Sequence, residues 1–188
     1  MHFYTIGHST RSLEEFKKIL KRYNIDLLID IRSWPYSKRN PQFNKEKLEK
    51  ELQNTGIEYI WLGEELGGRR SKGLGKKSPN KGWRSKGFRN YADYTLTDEF
   101  KRGIERMLKL AEGKRTVLMC AEKFYWGCHR RILADYLSVK GNKITHIVDE
   151  ERSIDHVMTS FAKVKDGILI YPEFEDEAIR SRNHIYDN

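Results

Sequence analysis

The hydrophobic positions fall into two patterns that alternate along the chain. Short apolar runs bounded by polar residues are typical of strands buried on both faces. Such runs occur at Phe3–Ile6, Leu27–Ile31, Tyr59–Leu62, Val117–Cys120, Ile144–Val148 and Ile168–Tyr171. Apolar residues with helical spacing fill segments between these runs, following the capping residues Ser12, Asn44 and either Thr97 or Asp98, and again from Ile132 to Leu137. This alternation predicts an α/β domain in three layers, in which helices cover both faces of a mainly parallel sheet.

The length of 188 residues suits a single domain, which we predict to span residues 1–188. No run of about 18 apolar residues occurs, so we expect no membrane-spanning segment. The first residues, MHFYTIGHST, open into a predicted strand and lack the basic start and apolar stretch of a secretory signal. Two cysteines are too few for a secreted disulfide scaffold. We therefore expect a cytoplasmic protein; the sequence leaves its oligomeric state open.

The excess positive charge is concentrated in one segment. The formal net charge is +9, and residues 69–90 contain nine basic residues and no acidic one. The rest of the chain is formally neutral, with 27 basic and 27 acidic residues. Four glycines and one proline inside the segment predict an irregular loop. Its basic residues are Arg69, Arg70, Lys72, Lys76, Lys77, Lys81, Arg84, Lys86 and Arg89.

Two interpretations of this basic segment remain open. It is either a solvated surface loop or a clamp for DNA or RNA, since clustered cations release counterions from a phosphate backbone. In the second interpretation Trp83, Phe88 and Tyr91 supply rings on which bases stack. The residues predicted to bind nucleic acid are Lys72, Lys76, Lys77, Lys81, Trp83, Arg84, Lys86 and Arg89.

The most reactive side chains follow three of the predicted strands. His8 and Ser9 follow the first strand, Arg32 follows the second, and a loop ending in Cys128-His129-Arg130 follows the strand that delivers Cys120. In open α/β sheets the site lies beyond the carboxyl ends of the strands, so all three groups are predicted to share one edge.

The segment from Cys120 to Arg130 is the sharpest local signal for chemistry. A helix that begins after Cys128 offers free N–H groups and the positive end of its dipole, which with His129 and Arg130 would lower a cysteine pKa. Glu122 could serve as a base or orient another group. The alternatives are structural cysteines, a disulfide across the loop, and a zinc site that recruits His8 and His129. We expect no resident cofactor or metal.

Several motifs in the same order resemble domain-of-unknown-function family 488 over most of the chain. They are Thr5–Thr10 (TIGHST), Asp30–Pro35 (DIRSWP), Arg39–Asn44 (RNPQFN), Leu66–Arg70 (LGGRR), Phe88–Tyr94 (FRNYADY) and the stretch from Met119 to Arg130 that ends in CHR. The resemblance implies a shared site without naming a reaction. It supports as site candidates His8, Arg32, Asn40, Gln42, Arg69, Arg70, Tyr91, Cys120, Glu122, Cys128, His129 and Arg130.

Three functions follow from these features. The leading hypothesis is a nucleic-acid-associated enzyme that acts on a nucleotide or modified base, with Cys120, Cys128, His129, Glu122 and His8 as catalytic candidates. In it, a phosphate-containing ligand would be bound by Arg32, Arg130, Ser9, Asn40, Gln42, Arg69, Arg70 and Tyr91. The first alternative is a thiol-dependent enzyme that transfers sulfur or a phosphoryl group on a small anion. The second is a nucleic-acid-binding module without catalysis.

Overall fold

A computed structural model describes residues 1–173; the end of the predicted domain, residues 174–188, lies outside this range. Within it, six strands form one sheet in the order β3-β2-β4-β1-β5-β6. Its first five strands run parallel and β6 is antiparallel to β5. The strands are β1 (His2–Gly7), β2 (Leu27–Asp30), β3 (Glu58–Trp61), β4 (Thr116–Cys120), β5 (Lys143–Ile147) and β6 (Ser153–Asp155). The predicted fold class is confirmed.

Helices cover both faces of this sheet, because successive strand residues point to opposite sides. Helices α1 (Leu13–Arg22) and α2 (Lys45–Gln53) pack on one face. The other face carries α3 (Gly63–Leu66), α4 (Lys86–Tyr94), α5 (Asp98–Ala111) and α6 (Arg130–Val139). The Ser12 and Thr97 side chains cap α1 and α5 as predicted. Asn44 stands at the start of α2, but its side chain accepts a hydrogen bond from the Ser37 amide instead. No helix in the described residues is long and apolar enough to cross a bilayer.

The last predicted strand lies outside the main sheet. Ile168–Ile170 (β8) pairs with Lys163–Lys165 (β7) as a separate antiparallel hairpin. Asp166 and Gly167 have positive φ angles of 50° and 75°, which suit a tight two-residue connection. The sequence pattern identified the strand but could not assign its partner.

The basic segment is irregular only as far as Ser85, because α4 begins at Lys86. The prediction of a loop through residue 90 was therefore wrong for its last five residues. The Ser85 side chain caps the helix by accepting a hydrogen bond from the Phe88 amide at 3.4 Å, and this cap offsets the presence of Gly87 in the first turn.

A buried carboxylate anchors the irregular part of the basic segment. Asp93 in α4 accepts hydrogen bonds from the Leu74 amide (2.8 Å), the Ser78 hydroxyl (2.5 Å) and the Asn80 side-chain amide (2.8 Å). Asn80 in turn accepts from the Tyr171 amide at 2.9 Å, which ties the segment to the end of β8. The segment thus has a defined backbone path, while Lys72, Lys76, Lys77, Lys81, Arg84 and Lys86 are exposed.

Trp83 is part of the hydrophobic core and not a surface platform. Its side chain is 2% exposed, and its ring packs against Phe88, Phe161 and Tyr171 at centroid distances of 5.1, 4.9 and 5.2 Å. The Arg131 guanidinium lies 5.0 Å from the ring centroid. The prediction that Trp83 stacks on a base was wrong, because the ring is already enclosed by its neighbours.

We expect Trp83→Ala to lower the free energy of unfolding by about 3–5 kcal/mol, since it removes a large buried ring. Trp34→Ala is the matched control: Trp34 is 66% exposed, so its removal should change stability by no more than about 0.5 kcal/mol. Chemical denaturation of the two variants checks this. Equal stability of both would contradict the burial of Trp83.

Candidate active site

The ends of β1, β2 and β4 meet at one edge of the sheet, as the sequence predicts. The loops after β1 and β4 are joined by hydrogen bonds from the His8 amide to the Cys120 carbonyl (2.9 Å) and from the Ser9 amide to the Ala121 carbonyl (2.8 Å). Ser9 adopts a positive φ of 51° at this point. These bonds extend the β1–β4 pairing and bring the residues after both strands together.

Cys120, Cys128 and His129 form a compact cluster at this edge. His129 Nδ1 lies 3.8 Å from Cys120 Sγ and 3.6 Å from Cys128 Sγ. All three residues are buried, and neither cysteine is in a disulfide. The three donor atoms lie within 4.8 Å of one another, so the cluster could also provide two sulfur ligands and one nitrogen ligand to a thiophilic metal.

The two thiols differ in acidity. Burial works to raise the pKa of the Cys128 thiol, but a hydrogen bond from the Cys120 thiol, together with His129 and Arg130, places that pKa well below its ordinary value. The Cys120 thiol donates that hydrogen bond, is buried, and lies next to the Cys128 charge. These three factors hold the pKa of Cys120 well above its usual range. Of the two thiols, Cys128 is therefore the one whose thiolate form the site favours, and Cys120 is the one whose protonated form it favours.

Arg130, the first residue of α6, is buried beneath the loop that joins the two cysteines. Its guanidinium donates to the carbonyl oxygens of Glu122 and Lys123 and, at 3.4 Å, to the Thr5 hydroxyl. A Cβ at Gly7 would overlap the Glu122 carbonyl, so the loop can approach β1 only where that strand has a glycine. Arg130 therefore acts on the site through its charge, while its donors hold the loop.

Arg32 and His8 form a second buried group behind the cysteines. Arg32 donates to both carboxylate oxygens of Asp30, at distances from 2.6 to 3.1 Å, and to the Phe43 carbonyl at 2.7 Å. His8 Nε2 lies 3.3 Å from Arg32 Nη1, and the His8 Nδ1–H donates to the Ser9 carbonyl at 2.9 Å. Burial and Arg32 lower the pKa of His8 to about 4, so the ring is neutral. His8 thus supports Arg32 instead of facing a substrate.

An open cleft of about 280 Å³ is lined in part by the cysteine cluster. Two helices begin at this cleft: Ser85, Gly87 and Phe88 come from the start of α4, and Cys128 and His129 precede α6. Helix N-termini present unpaired N–H groups and attract anions. The other residues that line the cleft are Arg32, Ser33, Trp34, Gly68, Arg69, Cys120, Ala121, Glu122 and Gly127.

Several predicted site residues lie away from the cleft. Gln42 donates its side-chain amide to the Arg11 carbonyl, and the Asn40 amide bonds the Ser37 hydroxyl. The Arg70 guanidinium stacks on Tyr94 at 3.6 Å and donates to the carbonyls of Glu64 and Gly67. The side chains of Gln42 and Arg70 thus bond to protein carbonyls, and Asn40 contributes its backbone N–H to the turn that contains Ser37.

Tyr91 and Arg89 also have structural contacts. Tyr91 is fully buried, with its hydroxyl bonded to the Leu66 carbonyl at 2.9 Å and its ring edge-on to His129 at 5.0 Å. It supports His129 and cannot stack on a base as predicted. Arg89 donates twice to the Trp83 carbonyl, at 3.1 and 2.9 Å.

Sequence reasoning missed Ser85, Gly87 and Gly68 as cleft residues. Gly68 packs so closely that a Cβ there would meet the His129 ring at 2.5 Å, and no local pattern indicates that contact. Ser85 carried a usable signal, because a serine three residues before an aromatic position is typical of a helix cap.

The family comparison covers five of the six motifs, and Thr5–Thr10 precedes the matched residues. The model described as "Domain of unknown function DUF488" matches residues 12–137, which include both cysteines, His129 and Arg130. No curated protein and no solved structure matches the chain. The match does not name a reaction that the site would catalyse.

We expect Cys128 to react with iodoacetamide at pH values well below those needed by a free cysteine of pKa about 8.5. Cys120→Ala removes the donor to the thiolate and should raise the apparent pKa of Cys128 by about one unit or more. Cys120→Ser keeps a hydroxyl donor and should give a smaller shift. Alkylation rates against pH, with the modified residue identified by mass spectrometry, measure all three. Two ordinary profiles in the unmodified protein would contradict the assignment.

Proposed function

The chain belongs to the DUF488 family of domains of unknown function, and we propose from the geometry of the site that it is a thiol-dependent enzyme that transfers a sulfur or phosphoryl group from an anionic substrate, with Cys128 as nucleophile. The observation that carries the proposal is the cluster of two buried cysteines and His129, whose sulfur and nitrogen atoms lie within 4.8 Å of one another beside an open cleft. The lowered pKa of Cys128 and the raised pKa of Cys120 agree with Cys128 as the nucleophile. A thiolate, unlike a thiol, is the reactive form of cysteine.

The same geometry gives Cys120 a role in the reaction. When the Cys128 thiolate attacks an electrophilic centre, a bond forms to its sulfur and the bond to the leaving group breaks. The leaving group departs with the electron pair and requires a proton. The protonated Cys120 lies beside Cys128 and can supply that proton, becoming a thiolate itself. Glu122 lines the same cleft and is exposed, where it can accept a proton from water when the covalent intermediate is released.

Charge and shape at the cleft support an anionic substrate. Arg69 is exposed at the cleft, and the starts of α4 and α6 both open on it. Anions are favoured at helix N-termini by the unpaired N–H groups and the dipole. Trp34 is 66% exposed and also lines the cleft, so it offers the flat apolar surface that a nucleotide base requires.

Reaction with simple donors tests the proposal. After incubation with thiosulfate or with p-nitrophenyl phosphate, intact-protein mass spectrometry should detect a sulfur or phosphoryl adduct that maps to Cys128. Cys128→Ser should abolish the adduct, whereas Cys120→Ser should still form it but turn over more slowly, because the hydroxyl is a poorer acid. An adduct that persists in Cys128→Ser, or no adduct with either donor, would overturn the assignment of Cys128 as nucleophile.

A second proposal concerns the carrier of the substrate. The basic segment runs directly into the cleft, since its residues Ser85, Gly87 and Phe88 line the cleft. Asp93 fixes its path from inside while its lysines are exposed. A nucleic-acid strand held by these lysines would be guided to the cysteines, so we propose that the substrate is a nucleotide within DNA or RNA.

We expect oligonucleotide binding whose logarithmic affinity falls linearly with the logarithm of salt concentration, by about 0.9 per neutralised phosphate on a duplex or about 0.7 on a single strand. Replacing Lys76, Lys77 and Lys81 with Ala should reduce this slope by up to about three contacts. Trp34→Ala should instead weaken single-strand binding by about 1–3 kcal/mol and leave the slope unchanged.

The matched control for the triple variant changes the same number of charges elsewhere. Lys21, Lys47 and Lys50 are exposed lysines on α1 and α2, and their replacement with Ala should leave the slope close to that of the unmodified protein. Equal effects of the two triple variants would show that net charge, and not the basic segment, controls binding. If no binding is measurable at low salt, the carrier proposal fails while the thiol proposal stands.

A further inference from the structure

A continuous chain of buried polar side chains crosses the domain from α6 to β1. The Asp135 carboxylate lies 2.9 Å from His156 Nε2, His156 Nδ1 lies 3.0 Å from His146 Nε2, and His146 Nδ1 lies 2.7 Å from the Thr5 hydroxyl. The side chains of His156 and Asp135 are 1% and 0% exposed. Thr5 and His146 are register partners on the adjacent parallel strands β1 and β5.

The Asp135 carboxylate fixes one end of this chain of hydrogen bonds. Asp135 accepts from the Thr159 amide at 2.9 Å and from the Tyr171 hydroxyl at 2.8 Å, so its carboxylate is an acceptor throughout. His156 therefore donates from Nε2 to Asp135, and its Nδ1 shares the next hydrogen bond with His146 Nε2. Burial, together with His156 and Arg130, lowers the pKa of His146 to about 2, so this ring is neutral and its Nδ1 shares a hydrogen bond with the Thr5 hydroxyl.

The chain contacts the cysteine loop at two points. The ring of Tyr125, in the short 3₁₀ turn between Cys120 and Cys128, stacks on His146 with a centroid distance of 3.6 Å and an interplanar angle of 6°. At the other point, the Thr5 hydroxyl accepts a hydrogen bond at 3.4 Å from Arg130, whose guanidinium holds the Glu122 and Lys123 carbonyls. The position of the His146 ring therefore influences both the turn that contains Tyr125 and the guanidinium of Arg130.

Polar side chains are not required to fill this part of the interior. Apolar residues of similar size at positions 5 and 146 would occupy the same space without needing partners for every buried nitrogen and oxygen. Thr5 is 1% exposed and His146 is 2% exposed, so neither can meet a substrate. The polar chain contributes orientation, because each ring reaches its hydrogen-bond partners in only one rotation.

We propose that Asp135, His156 and His146 are positioning residues for the cysteine loop, acting through the stacked ring of Tyr125 and, by way of Thr5, through the guanidinium of Arg130. This inference rests on the proposed function, since the group that the loop presents is the Cys128 thiolate. The chain fixes the ring plane of His146, and that plane sets where Tyr125 and hence the turn before Cys128 can lie. The Thr5 hydroxyl, held by His146, gives Arg130 a defined acceptor on the side away from the loop carbonyls.

The pH profile of Cys128 alkylation by iodoacetamide, measured on the full chain, tests the inference. Thr5→Val keeps the shape of the side chain but breaks the link between Arg130 and His146. Tyr125→Ala removes the stack at a partly exposed position. We expect each to raise the apparent pKa of Cys128 and to slow alkylation at pH 7 by about threefold or more, which corresponds to about half a pKa unit. Thr5→Ser restores the hydroxyl and should restore the original profile.

His146→Phe extends the test, because it retains an aromatic ring for Tyr125 but removes both nitrogens, and it should give the same slowing as Thr5→Val. His2→Phe is its matched control: His2 bonds the Thr145 hydroxyl at 2.9 Å near the opposite edge of the sheet, and its change should leave the profile unaltered. If His146→Phe does not fold, Thr5→Val and Tyr125→Ala still decide. Unaltered profiles in those two folded variants would overturn the inference. An ordinary cysteine profile in the unmodified protein would overturn the proposed function instead.

Discussion

Burial of the Arg130 guanidinium is the constraint from which much of the site follows. A cation that is 1% exposed must find acceptors inside the protein. Arg130 finds them in the carbonyls of the loop between the cysteines and in the Thr5 hydroxyl. Its charge adds to the hydrogen bond from Cys120 and to the effect of His129 in lowering the pKa of the Cys128 thiol. Three other features accompany this buried charge. Gly7 is required beside the loop, the two cysteines lie close together, and the chain continues from the loop into α6.

Much of the fold could be predicted because buried parallel strands leave a strong pattern. Leu27–Asp30 and Thr116–Cys120 are buried at every position, and the rule that sites lie beyond strand ends then brings Arg32 and Cys120 to one edge. Trp83 was misassigned because its sequence neighbours are basic and glycine-rich, whereas its burial depends on Phe161 and Tyr171, far away in the chain. The link from Asp135 through His156 to His146 has no local signal either, since its residues come together only when α6, β5 and the residues after β6 have packed.

The basic segment shows how a polar stretch can be ordered without a core of its own. One carboxylate, Asp93, satisfies three donors from the segment, and the Trp83 ring is inserted among aromatic residues. Anchors of these two kinds fix the backbone, so the lysines between them are held outward by the path of the chain. Such a surface has a definite charge geometry, which a flexible tail of the same composition would lack.

The bond between Asn80 and Tyr171 has a consequence for how the protein is made. It joins residues 91 positions apart, and Tyr171 also binds Asp135. During synthesis the ribosome releases β1, β2, β4 and both cysteines well before residue 171 emerges, and contacts between distant residues form late. A nascent chain can therefore assemble the sheet and bring the thiols together while the basic segment still lacks its final anchor. During translation the thiols can thus meet before the basic segment, which forms the charged wall of their cleft, is fixed.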